Sequence, residues 1–192
     1  MRGTRRSKVV GWGLALVATA VVSAGVALAA GGGVAGHSAG HRAAARCSGK
    51  PPGIPPERWR AARHTLAPAG ATEIRLCRYS GLNAHPPRTL VRARRLDRAG
   101  PVAELVKRFD GLPSGPPGAV ACPADDASEI AALVSYPGGH EVRISVGLRG
   151  CESVTNGSVN RTASGYGPHP RRGPRLLAEM KRLVGGGRAP SP

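Results

Sequence analysis

Four cysteines, Cys47, Cys77, Cys122 and Cys151, carry the most definite chemistry in this 192-residue chain. No two of them have the two-residue spacing of a zinc knuckle or a redox dithiol. An even number at wide spacing predicts two structural disulfides, which belong to an oxidising compartment. With every thiol bridged, none remains as a nucleophile. The histidines of the main body, His64, His85, His140 and His169, are scattered, and no serine sits in a G-x-S-x-G context. The sequence therefore gathers no triad of nucleophile, base and acid. His37 and His41 lie four apart in a Gly/Ala-rich stretch with no further ligand nearby.

Asp125, Asp126 and Glu129 form the densest acidic cluster. Hard oxygens at this spacing could hold Ca²⁺, but the glycine turn and distal Glu of an EF-hand loop are missing. Aspartates that cap local backbone N–H groups in a turn account for the cluster more simply. Nothing among the 11 acids singles out a carboxylate pair for sugar hydrolysis. Gly31–Gly33 and Gly185–Gly187 lack the Lys-Ser/Thr or the strand context of a phosphate-cradling loop. Asn156-Gly157 reads as a turn, although it also falls within a glycosylation-type triplet. These absences predict a protein that is not an enzyme and that needs no metal or cofactor.

The remaining chemistry is positive charge. Lys and Arg number 28 against 11 Asp and Glu, a net charge of +17 and a pI near 11.4. Arginine outnumbers lysine 24 to 4, alongside abundant Ala, Gly and Pro, which is the residue bias of a GC-rich genome. Such a bias raises the pI without any polyanionic partner. The densest basic stretch holds Arg88, Arg92, Arg94, Arg95 and Arg98, opposed only by Asp97. Together with Leu90, Val91 and Leu96 it is suited to an anionic surface, and it is read as a solvated segment leading into the next helix. A second cluster, Arg171, Arg172 and Arg175, precedes the last helix. Aromatics make up only 3% of the chain, too few for the stacking platforms of a nucleic-acid binder.

Several elements must position these groups. Met1–Lys8 is short and basic, and Val9–Ala30 is a 22-residue run without charge. That length spans a hydrocarbon core of about 30 Å. The small-x-small triplet Ala27-Leu28-Ala29 equally suits signal-peptide cleavage. Residues 1–30 are thus a signal peptide or a transmembrane anchor, and either one exports the rest of the chain. No cysteine comes soon after the apolar run, which argues against a lipoprotein. Residues 31–46 read as a disordered linker, 47–184 as an exported domain and 185–192 as a disordered tail.

Within the domain, Pro56-Glu57-Arg58-Trp59 reads as a helix start, with Trp59, Ala62 and Leu66 as its inner stripe. Thr72–Tyr79 alternates as a strand. Pro101–Asp110 places Val102, Leu105, Val106 and Phe109 on one helical face. Ala119–Cys122 reads as a short strand. Ile130–Tyr136 and Glu141–Leu148 form a hairpin around Pro137-Gly138-Gly139-His140. Pro174–Val184 carries a final amphipathic stripe. If the hairpin folds back symmetrically, residue 151 arrives opposite roughly 126, which brings Cys122 and Cys151 to one end of the sheet. Cys47–Cys77 is then left by elimination from the three possible connectivities. The predicted fold class is α+β: a small antiparallel sheet packed with two or three amphipathic helices, plus two disulfides.

The strings Cys77-Arg78-Tyr79-Ser80-Gly81-Leu82-Asn83 and Cys122-Pro123-Ala124-Asp125-Asp126, then Gly150-Cys151 and Asn156-Gly157, resemble a group of uncharacterised exported actinobacterial proteins. The resemblance covers about residues 47–160 and implies an exported, disulfide-bonded domain, with no activity attached. The expected role is a non-enzymatic module of the cell envelope that contacts a wall polymer or anionic lipid. The alternative is a binder or inhibitor of an extracellular protein such as a protease, presenting Arg149–Asn156 or Gly111–Gly118 as a rigid loop. A small secreted hydrolase is the weaker third reading.

Overall fold

The computed structural model describes residues 46–115, 121–165 and 171–185. Among them are six strands and two α-helices, the helices and β4 carrying clear period-3.6 and period-2 apolar patterns. In chain order these are β1 (Glu73–Tyr79), β2 (Leu90–Leu96), α1 (Ala99–Asp110), β3 (Glu129–Ser135), β4 (Glu141–Gly147), β5 (Ser153–Thr155), β6 (Asn160–Thr162) and α2 (Arg172–Gly185). All neighbouring strands pair antiparallel, in the order β2-β1-β3-β4-β5-β6. The fold is α+β, as its sequence patterning predicts.

The hairpin fixes the register. Ser135 pairs with Glu141 and Glu129 with Gly147, around a turn at Pro137–Gly139 in which Gly138 and Gly139 both take positive φ. Ile74 and Leu76 of β1 lie opposite Val134 and Ala132 of β3, and Val142 and Ile144 of β4 continue the row. These side chains are fully buried. Over them pack Val102, Leu105, Val106 and Phe109 of α1 and Leu176, Leu177 and Met180 of α2. Pro101 is tolerated as the third residue of α1 because the first N–H groups of a helix have no intrahelical partner to lose. At Gly173 a Cβ would stand 2.6 Å from the Ala163 backbone, so the start of α2 meets the chain after β6 only through glycine.

The opposite face of the sheet is covered differently. Cys77, Tyr79, Ala131 and Leu133 form a second, smaller buried cluster beneath Cys47 and Leu90. The arm after residue 46 has no helix or strand of its own. Over residues 47–53 it is held by the Cys47–Cys77 bond and by three hydrogen bonds. Tyr79 Oη donates to Ser48 O, the Leu90 amide donates to Gly49 O, and Arg143 Nη1 donates to Gly53 O.

Three expectations are corrected. The helix expected from Pro56 is a single 3-10 turn, Arg60–Ala62. Trp59 is extended, and its N–H is taken by the Glu57 carboxylate. The carbonyls of Ala62, Thr65 and Leu66 accept from the Asn156 side chain instead of from a helical ladder. Ala62 and Leu66 are buried nonetheless. The stretch from Arg88 to Arg98 is solvated and runs into α1, but it is more than a lead-in: its Leu90–Leu96 part is β2, paired along its length with β1. An edge strand keeps arginine heads in water on either face while their stems lie along the sheet. Ala121 and Cys122 are not in a strand, and residues 119–120 lie outside the described residues, as do the expected signal or anchor at 1–30, the linker up to residue 45 and the tail from residue 186. Among the described residues no helix is long and apolar enough to cross a membrane.

Candidate functional site

Both predicted disulfides are present. Cys47 bonds Cys77 and Cys122 bonds Cys151, with Cα separations of 5.6 and 5.1 Å, and no cysteine is free. The hairpin register carries the second bond: Leu148 N donates to Ser128 O, which extends the β3–β4 ladder to the point where residues near 125 and 151 meet.

The three acids of the candidate cation cluster are spent on local structure. Asp125 Oδ1 accepts from Ala127 N, and Asp126 Oδ1 accepts from Ser128 N and Oγ. Those two bonds, more than the nearby Arg149, hold the Asp126 carboxyl below its ordinary range. Glu129 accepts from Ser145 Oγ and faces Arg143 at 3.5 Å across the sheet. Among the described residues no group of three or more His, Cys, Asp or Glu side chains is placed to hold a metal ion. His140 is exposed and stacks on Trp59 with ring centroids 4.8 Å apart, while Trp59 meets Tyr136 edge-on at 4.7 Å. No described histidine hydrogen-bonds a serine or cysteine. His169 lies outside the described residues.

The basic cluster is distributed around an edge. The pairings of Arg92 with Arg78 and of Arg94 with Leu76 place both residues on the helix-covered face, whereas Arg95, opposite Arg75, lies on the other. Arg88 precedes the strand with a φ of +50°, and Arg98 is the cap residue of α1. All five are exposed. Arg95 pairs with Glu73 at 2.9 Å and with Asp97 at 3.7 Å, and Arg92 Nη1 donates to Gly185 O at the end of α2. The side chains of Arg88, Arg94 and Arg98 make no hydrogen bond or ion pair among the described residues. Val91, 56% exposed, lies between them.

Of the two loops expected to suit an inhibitor, Arg149–Asn156 contains β5 and ends on a buried residue, so only Arg149 and Gly150 stand fully exposed before the strand. In Gly111–Gly118, Leu112 is buried and Ser114 bridges to Arg161, and residues 116–118 lie outside the described residues.

Asn156 has a role that its sequence context does not announce. Its Nδ2 donates to Ala62 O and Thr65 O at 2.8 and 2.9 Å and to Leu66 O at 3.3 Å, and its Oδ1 accepts from Ser158 N and Val159 N. The turn at 156–157 is visible as an Asn-Gly pair, but nothing in the sequence links it to residues 62–66. Compared with known proteins, the chain matches no family model, no curated protein and no solved structure.

Proposed function

We propose that this chain is an extracytoplasmic, disulfide-stapled, non-enzymatic module that uses its β2 edge to contact a polyanionic surface of the cell envelope, either wall polymer or anionic lipid. The carrying observation is that Arg88, Arg94 and Arg98 stand exposed and unpaired along one edge of the sheet, beside the exposed Val91. Positive charges free of acid partners attract phosphate- or carboxylate-rich polymers over a Debye length, and salt screens that attraction. The two disulfides support an oxidising compartment. The charge-free run at 9–30 supports export, with either a cleaved signal or a retained anchor.

Co-sedimentation of the purified full chain with isolated cell wall, and with phosphatidylglycerol against phosphatidylcholine vesicles, tests the contact. Binding is expected at low salt and should weaken steeply as salt rises. Each of Arg88→Gln, Arg94→Gln and Arg98→Gln should remove about 1 kcal/mol of surface affinity. Absence of binding to wall and anionic vesicles at every salt concentration defeats the proposal.

A further inference from the structure

The end of β1 places Arg78 directly opposite Arg92 on the helix-covered face. Like charges in directly opposed positions of an antiparallel pair repel. Arg92 turns to the Gly185 carbonyl, but Arg78 stays half-buried with no hydrogen bond or ion pair among the described residues. It lines an open cleft of about 460 Å³ together with Arg149, which comes just after β4, and Lys181 of α2. Lys181 Nζ donates one bond, to Leu148 O at 3.3 Å, and keeps its other donors free. The single carboxylate of the lining is Asp126, already engaged by Ser128 N and Oγ and by Arg149 at 3.4 Å. The three hydroxyls of the lining, of Tyr79, Ser80 and Ser128, are also committed, to Ser48 O, to the 86–89 turn and to Asp126. Three cations from three separate elements therefore face one satisfied carboxylate, and the cleft keeps an excess of two positive charges.

We propose that the cleft between Arg78, Arg149 and Lys181 is a binding site for a phosphate group. Inorganic phosphate or a phosphate monoester carries a charge of about −1.5 to −2 near neutral pH, which matches that excess. Guanidinium forks take phosphate oxygens in pairs, and an ammonium adds a point charge with rotatable donors. The site uses none of Arg88, Arg94 and Arg98, so it stands or falls independently of the edge contact.

The experiment uses the purified full chain and two phosphate sources. Inorganic phosphate is titrated at constant ionic strength against chloride, with the melting midpoint and calorimetric heat as readouts. Vesicles of phosphatidic acid are compared with vesicles of phosphatidylcholine. The chain carrying Arg78→Gln with Lys181→Gln is set beside a charge-matched control, Arg58→Gln with Lys107→Gln, whose residues lie away from the cleft. Circular dichroism and intact mass establish that both variants are folded and oxidised. Saturable binding of inorganic phosphate, weakened about tenfold or more in the Arg78/Lys181 variant and unchanged in the control, supports a site for the free anion. Phosphatidic acid recruitment with the same dependence on the pair supports a headgroup site. Equal loss in both variants, or no saturable binding of either source, overturns the proposal.

Discussion

On one face of the sheet, Ile74, Leu76, Val134 and Ile144 lie beneath two amphipathic helices. On the other, Tyr79, Ala131 and Leu133 lie beneath an arm without secondary structure, held by Cys47–Cys77 and a few hydrogen bonds. The same strands thus present two covers of different physics. Helices bring their own backbone hydrogen bonds, so their burial is driven by apolar area alone. An irregular arm must give its carbonyls to sheet side chains and amides, and its small apolar area cannot offset the entropy of ordering it. A covalent bond to the sheet lowers that entropy in advance. Charge obeys the same division. Glu73 joins Arg75 and Arg95, and Glu129 joins Arg143, on the arm-covered face, where of these groups only the Arg95 head is well exposed to water. Arg75 Nε and Arg143 Nε still lack hydrogen-bond partners there.

The contrast is sharpest at Phe109, the chain's single phenylalanine, fully buried where α1 meets the sheet. Phe109→Ala should cost about 3–5 kcal/mol in urea unfolding. With so few other aromatics nothing is at hand to refill the gap, and a loss under about 1 kcal/mol would mean that the helices are not the principal cover. Next comes the double change Cys47→Ser with Cys77→Ser. It opens a loop of about 30 residues and should cost about 3–4 kcal/mol by chain entropy. The same variant should speed amide exchange at Leu90, whose N–H faces Gly49 of the arm, while exchange in α1 keeps its order. Uniform acceleration across both faces would erase the distinction between the covers. The smallest effect is expected from acid. Ser128 hydrogen bonds hold the Asp126 carboxyl below its ordinary value of 3.8, so its contribution is complete above that value and fades as pH falls through the lower folded one. Asp126→Asn should flatten the acid limb of a stability–pH curve and leave the alkaline limb unchanged.

The sequence made one cover legible and hid the other. Val102, Leu105, Val106 and Phe109 repeat at helical spacing, and Val142, Ile144 and Val146 alternate, so α1 and the β3–β4 hairpin could be read directly. The disulfide pairing came out of the hairpin because a symmetric fold-back fixes which residues meet. The arm carries no periodicity, and its cover consists of backbone carbonyls that no residue type announces. β2 was missed because four of its seven residues are Arg or Ala and its pattern is neither alternating nor helical, so only pairing with β1 shows it. The Pro56–Leu66 segment has the proline and the first-turn acid of a helix start. Tertiary contact overrode those signals when Asn156, some ninety residues away, claimed its carbonyls. The basic residues of the candidate edge were all visible, but their division between two faces, and the opposition of Arg78 to Arg92, depend on a register that only the assembled sheet supplies.

Asn-Gly is the dipeptide most prone to spontaneous deamidation, because the glycine amide can close on the side-chain carbonyl to form a succinimide. In the native fold both reactants are restrained. The Asn156 amide is clamped by five hydrogen bonds, and the Gly157 nitrogen donates to Thr155 Oγ1. Chemical ageing at this pair therefore becomes a clock of unfolding. A molecule that keeps its shape keeps its asparagine, and one that opens acquires an isoaspartate or aspartate, which has lost the amide donors that the cage of carbonyls accepts.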